Sequence, residues 1–251
     1  MQIVAILTTL LLLFYILKNR SNIIAMVAQY RYGMGHAEQG LKMYKLASKI
    51  GKMKLEHRIR YGYLTLKEGD IEEANKLFNL IGMDKLKPNE RAKLKESHAL
   101  VAWKRGDIAD AIEMLEYVHN HYVSTTTYGS LGYMYVLSGN LKRALEYNLE
   151  GYEYNKNNDI IVDNLAYTYL KLGDYENAEK YYKELFEMEP KFSEGYYEYG
   201  KYLIEKKGEK EEGIKLLKKA LNSRFSFLST VSRREILDYL EKCGEDISKL
   251  V

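Results

Sequence analysis

Residues 3–17 read IVAILTTLLLLFYIL, and with Met1 and Gln2 the uncharged run reaches 17 residues. At about 1.5 Å rise per residue a helix of this length covers roughly 26 Å, the lower end of what crosses a bilayer. Beyond it, apolar residues recur at helical spacing on otherwise polar segments. Val162, Leu165, Ala166 and Tyr169 share one helix face, and Lys171-Leu172-Gly173-Asp174 breaks the run. Ala178, Tyr182, Leu185 and Phe186 form the apolar face of the next helix, with Pro190 beyond its end.

The same punctuation returns along the chain. A glycine followed by an acidic or polar residue, with a small residue five positions on, occurs at Gly69-Asp70 with Ala74, Gly106-Asp107 with Ala111, Gly139-Asn140 with Ala144, Gly173-Asp174 with Ala178, and Gly208-Glu209 with Gly213. Gly35-His36 with Gly40 is a weaker instance, and the glycines are spaced by 34, 37, 33, 34 and 35 residues. Each period reads as two amphipathic helices joined by a glycine turn. Glycine accepts the left-handed geometry that ends one helix, the Asp or Asn caps the next, and the small residue lets the two approach closely.

The segment DNLAYTYLKLGDYENAEKYYKELFEMEP resembles a tetratricopeptide repeat, through Val162, Leu165, Ala166, Tyr169, Ala178, Tyr182, Leu185 and Pro190. The preceding period matches at Tyr128, Leu131, Gly132, Tyr135, Ala144 and Gly151 but ends in Asn157-Asn158 without proline. The periods at Gly69 and Gly106 keep the turn and the alanine, and the first is degenerate. The resemblance implies an all-α chain, a right-handed superhelical solenoid of antiparallel helix pairs preceded by one transmembrane helix. Three parts are expected: an anchor with a basic flank at 1–20, about five to six repeats over 21–228, and a C-terminal capping helix within 229–251. Val231, Ile236, Leu237 and Leu240 give that last segment its apolar face. A truncated seventh repeat with Gly244-Glu245 as its turn is the other reading of it.

Composition changes the picture little. Two prolines favour helices over a Pro-rich disordered chain, and a lone Cys243 excludes an internal disulfide framework or a multi-thiolate zinc site. The distribution of charge matters more than its total of +3. Residues 18–60 hold ten basic side chains against Glu38 and Glu56, a net +8, while residues 61–251 carry −5. The apolar run therefore has Lys18 and Arg20 directly after it and no basic residue before it, the reverse of a secretory signal, and it lacks a small-x-small cleavage site. Under the positive-inside rule the N-terminus lies outside and the body is cytoplasmic. Lys18, Arg20 and Arg31 are the expected membrane-proximal cations, able to approach anionic headgroups. Near-balanced total charge gives no reason to expect nucleic acid as a partner.

Family resemblance also implies where a partner would bind, since the first helix of each pair lines a concave groove in such repeats. The positions that map there are Arg60, Tyr63 and Lys67, then Ser97, Leu100, Trp103 and Lys104, then Ser130 and Tyr133, then Asp163, Asn164, Tyr167 and Lys171, and last Tyr197, Glu198 and Lys201. Of these, Tyr63, Lys67, Trp103, Lys104, Tyr133, Asn164, Tyr167, Lys171, Tyr197 and Lys201 form the expected partner-binding set, an aromatic stripe interspersed with lysines. Tyr128, Tyr135, Tyr169, Tyr182 and Tyr196 fall on packing positions instead. The carboxylate clamp of one subfamily is not expected, because its places hold Ile59, Tyr63, Ser97, Thr126 and Ser130.

No catalytic set is expected. His119 and His121 are two apart and do not share a helix face, His98 sits at a packing position, and no phosphate-loop, nucleophile-elbow or HExxH motif occurs. Glu72-Glu73 and Glu211-Glu212 begin second helices, where they favour the helix dipole. The expected function is a membrane-anchored adaptor for a protein or peptide partner, without cofactor or metal. In domain order it resembles the anchored repeat adaptors that bacteria use in envelope biogenesis, without the metal-binding tail of the lipopolysaccharide-assembly regulator. The alternative is a secreted or extracytoplasmic chaperone-like module, and homo-oligomerisation through aromatic surfaces is a further expectation.

Overall fold

In a computed structural model of the protein, which describes residues 1–250, thirteen α-helices form and no strand occurs among the described residues. The chain divides into two units, Met1–Leu86 and Lys87–Val251.

The first unit contains α1 (Gln2–Gly33), α2 (Ala37–Ile50), α3 (Leu55–Lys67) and α4 (Ile71–Gly82). Helix α1 runs unbroken through residue 20, where the anchor was expected to end, so the apolar run and the first helix of the first pair are one rod. Its apolar beginning is exposed throughout, and the helix is long and apolar enough to cross a membrane. Its second half packs on α2 through Ala25 and Ala28, against Tyr44 and Ala47, all four fully buried. The Tyr44 ring stacks on Tyr61 of α3 at 5.4 Å between centroids, and Phe78 of α4 fills the space left by Gly62.

The second unit begins with the pairs α5 (Pro88–Lys104) and α6 (Ile108–His121), α7 (Thr125–Leu137) and α8 (Leu141–Tyr154), and α9 (Asp159–Leu172) and α10 (Tyr175–Glu187). A fourth pair is α11 (Glu194–Tyr202), which runs on into a π turn at Leu203–Lys207, with α12 (Lys210–Leu221). Helix α13 (Arg233–Lys242) packs on α12 and precedes a 3-10 turn at Ile247–Lys249. Residues 229–232 of the expected cap are not helical, and Val251 lies outside the described residues.

Local chemistry sets each pair. The turn glycine is left-handed in every period, as at Gly173 with φ of 77°, and Gly244 after α13 repeats it with φ of 87°. That recurrence gives α13 the form of the first helix of a further pair. The residue after the glycine caps the second helix: Asp70, Asp107, Asn140 and Asp174 each accept a hydrogen bond from the N–H three residues on, at 3.0, 3.0, 3.3 and 3.3 Å. One turn later Ala74, Ala111, Ala144 and Ala178 are fully buried at the helix crossing. At Gly40 and Gly213 the helices are closer still, since a Cβ there would lie 2.9 Å from the Ala28 carbonyl oxygen and 2.6 Å from that of Gly200. Backbone cannot swing aside as a side chain does, so these two positions exclude even alanine.

Gly40→Ala is therefore expected to destabilise the fold by about 1–3 kcal/mol, whereas Gly33→Ala, whose Cβ would meet nothing within 4 Å, should leave stability unchanged or slightly raised. Thermal unfolding followed by circular dichroism distinguishes them, and equal melting temperatures for the two variants would contradict the close crossing.

Candidate partner-binding face

Of the ten residues expected to meet a partner, Tyr63 and Lys67 lie on α3 in the first unit, and the other eight lie in the second. Tyr63 is half-buried against the cluster around Tyr44 and Tyr61, and that burial raises its hydroxyl pKa. Each of the three expected lysines of the second unit lies at an aromatic face, Lys171 and Lys201 by spacing of four along a helix and Lys104 beside its neighbour in sequence. The Lys171 ammonium sits 5.2 Å from the Tyr167 ring centre, Lys201 5.0 Å from Tyr197, and Lys104 4.7 Å from Trp103. Trp103 of α5 meets Tyr133 of α7 edge to face at 6.1 Å, which joins two successive pairs. Desolvation lowers the Lys104 pKa, partly offset by the Glu194 carboxylate, while burial beside Glu198 pushes Tyr197 up to about 12.

Asn164 departs from the expectation. It is 1% exposed, and its side-chain amide donates to the Gly129 carbonyl at 2.8 Å. Asn148, on the core face of α8, donates to the Thr168 hydroxyl at 3.0 Å, and Thr168 donates to the Asn164 carbonyl at 2.6 Å. These residues form a satisfied polar lock between α7, α8 and α9, so Asn164 holds helices together rather than facing a ligand.

The face is also not empty. Residues 222–232, between α12 and α13, turn back across it. The Thr230 hydroxyl hydrogen-bonds to that of Tyr133, and the Thr230 N–H donates to Glu194 at 3.0 Å. The Phe227 ring also meets Lys104, its centre 4.6 Å from the ammonium. Farther on, Tyr239 of α13 meets Tyr197 edge to face, lies under Lys201, and donates to Glu205 at 2.8 Å. Half of the eight expected residues in this unit, Lys104, Tyr133, Tyr197 and Lys201, thus already touch the chain's own C-terminal segment. The tail, read from sequence as an end cap, covers part of the face as well. Phe225, Phe227 and Leu228 were the available signal, since so apolar a non-helical stretch is poorly suited to solvent.

Beneath Thr230 lies a small cavity of about 10 Å³ lined by Tyr133, Asp163, Tyr167, Tyr182, Glu194 and Glu198. Such a space is no larger than a single water. Asp163 Oδ1 and the Tyr182 hydroxyl are buried there without a hydrogen-bond partner among the described residues. Burial, reinforced by the Glu194 and Glu198 charges, raises the Asp163 pKa well above the usual carboxylate range. Burial also raises Glu198, against the pull of Lys201 and Lys171.

Elsewhere, His119 meets the Tyr147 hydroxyl at 3.0 Å and packs on Tyr128, while His121 stacks on Tyr117. No group of three His, Cys, Asp or Glu side chains is placed to hold a metal ion among the described residues. Of the basic flank, Lys18 is exposed and Arg20 donates to the Ile50 carbonyl, whereas Arg31 stands eleven residues farther along α1, about 16 Å away.

The tetratricopeptide repeat family model matches residues 162–192, the α9–α10 pair. A tetratricopeptide repeat protein from Parabacteroides merdae is similar over 90% of this chain and 85% of its own, with TM-score 0.71 and 15% identity. The pilF protein of Pseudomonas aeruginosa is similar over 90% of this chain and 99% of its own (TM-score 0.61, 13% identity). MamA from Desulfovibrio magneticus covers 68% of this chain and 96% of its own, with TM-score 0.51 and 19% identity. No curated protein matches the sequence significantly. The chain carries a tetratricopeptide repeat and has the fold of tetratricopeptide repeat proteins.

Asp163 gives the second unit a pH dependence. Its folded pKa exceeds the unfolded value of about 3.9, so as pH rises the unfolded chain loses its proton first and stability falls from about pH 4 upward. Asp163→Asn removes that loss and should be more stable than the wild type at pH 7 by on the order of 1–3 kcal/mol, with the gap narrowing toward pH 4. Melting temperatures at pH 4, 5.5 and 7 measure it, and a gap that widens on acidification would contradict the burial of this carboxyl.

Proposed function

We propose that the protein is a membrane-anchored interaction scaffold that binds a protein or peptide partner on the aromatic and lysine-bearing face of its second unit. The observation that carries this reading is the irregular segment already lying there. A surface that takes an aromatic ring at Lys104, a hydroxyl at Tyr133 and a backbone N–H at Glu194 has the chemistry to take the same groups from another chain. The Tyr167 and Lys171 sector, where Lys171 is exposed, is the place of first contact. A partner then competes with a tethered segment of high effective concentration, which weakens solution binding. Confinement of the scaffold by α1 to the membrane surface offsets this for a partner that also resides there.

Nothing in this reading calls on catalysis. Its activity is recruitment, and neither cofactor, metal nor nucleic acid enters it. The body is cytoplasmic, supported by the net +8 of residues 18–60 directly after the apolar run.

A photo-crosslinking residue at Tyr167 should capture a partner in cells, with more adduct when Phe227→Ala and Thr230→Ala loosen the internal segment. The same probe at the exposed Glu153 of α8 should capture none, and adducts from Glu153 alone would move binding to the second helices and overturn the site. Topology is read separately at Cys243: a membrane-impermeant maleimide should label it only after permeabilisation. Labelling in intact cells would support the extracytoplasmic module instead.

A further inference from the structure

The basic residues after the apolar run are scattered in sequence, but the fold gathers a subset of them at one level. Helix α2 returns antiparallel to the second half of α1, so its end and the loop before α3 come back to residues 20–22. Three hydrogen bonds fasten them there. Arg20 donates to the Ile50 carbonyl at 3.0 Å, the Ser21 hydroxyl to the Lys52 carbonyl at 3.3 Å, and the Lys54 N–H to the Asn22 side chain at 2.7 Å. The backbone from residue 50 to residue 54 is thereby held against residues 20–22, so Lys49, Lys52 and Lys54 stand at the level of Lys18 and Arg20, where the uncharged stretch ends.

We propose that these five side chains form a collar for the phosphates of anionic lipids, seating the first unit on the bilayer surface. The proposal rests on the reading of α1 as a membrane span. Four to eight basic residues directly beside a span are the pattern that anionic lipid surfaces attract. Here the pattern is made by tertiary structure rather than by a run in sequence.

Several observations favour a lipid. Lys18, Lys49 and Lys54 are exposed and have no carboxylate within ion-pair distance among the described residues, while Lys52 reaches Asp84 at 3.2 Å. A groove of about 390 Å³ runs along α1 from Tyr15, inside the apolar run, past Asn19, Asn22 and Met26, and its far wall carries Lys54, Glu56, His57 and Arg60. Tyr15, Asn19 and Asn22 line its end toward the apolar run, and Lys54 stands beside Asn22, so a headgroup entering there meets a cation. The apolar run is also short, so its flanking cations sit at headgroup depth without stretching. With no break between span and repeat, the collar fixes how the first unit stands on the membrane.

The test uses the full chain in nanodiscs of phosphatidylcholine alone or mixed with phosphatidylglycerol, with amide hydrogen exchange of residues 49–54 as the readout. Exchange is expected to be slower in the phosphatidylglycerol discs, on the order of tenfold, and to recover at high salt. Lys49→Gln/Lys52→Gln/Lys54→Gln should abolish the difference, and Lys18→Gln/Lys49→Gln should reduce it should the triple variant fail circular dichroism. Arg31→Gln, away from the collar, should retain it. Equal exchange in the two discs, or slowing that survives the triple substitution, overturns the proposal. Slowing by inorganic phosphate in phosphatidylcholine discs assigns the site to a soluble anion and overturns the lipid assignment. A chain that does not co-migrate with discs of either composition overturns the membrane reading itself, an outcome distinct from insertion without protection of the loop.

Discussion

Everything in this protein depends on how closely the two helices of a pair can cross. A left-handed glycine ends the first helix, a short polar side chain starts the second, and a small residue one turn later brings the backbones together. Where Ala74, Ala111, Ala144 or Ala178 stands at the crossing the contact closes on a methyl group, and where Gly40 or Gly213 stands it closes on a carbonyl oxygen. Large residues one turn farther on, Tyr44, Phe78, Leu115 and Tyr182, can then be fully buried because the crossing has already excluded water. In α8 that place is taken by Asn148, tolerated because its amide is bonded and because Gly132 leaves room for it.

Two consequences of this crossing reach the surface. In the first unit, the rod that supplies the first helix of a pair also supplies the apolar run, so run and repeat share one axis and no linker separates them. In the second, successive first helices present Trp103, Tyr133, Tyr167 and Tyr197 with a lysine beside each ring except that of Tyr133. There the C-terminal segment arrives instead, and Thr230 supplies the hydroxyl. The carboxyls of Asp163, Glu194 and Glu198 converge under it. Converging like charges with little water cost stability, so this spot is held together by the surrounding helices rather than by its own chemistry.

Most of the helical architecture was legible without coordinates. The glycine period, the Asp and Asn caps and the small residues at the crossings are local rules, each satisfied within a few residues of chain, and repetition multiplied their signal. The aromatic and lysine pairs Tyr167–Lys171 and Tyr197–Lys201 were equally readable, because residues four apart on a helix meet whatever lies around them. Asn164 was not readable as a lock, since its role depends on a carbonyl exposed by Gly129 on another helix and on an asparagine on a third. The family register assigns it to the groove, and its neighbours in space bury it.

The sequence by itself determined the repeat, its turns, the uncharged N-terminal run and the excess of positive charge after it, because these follow from spacing and composition along one dimension. Tertiary structure alone decided which surfaces remain open. It returned Phe227 and Thr230 to Lys104 and Tyr133 across separations of 123 and 97 residues, it left Asp163 without a partner for Oδ1 among the described residues, and it fastened the lysine-bearing stretch from residue 50 to residue 54 to residues 20–22. Such contacts depend on the angle and distance at which whole helices meet, and neither is encoded in any short stretch of the chain.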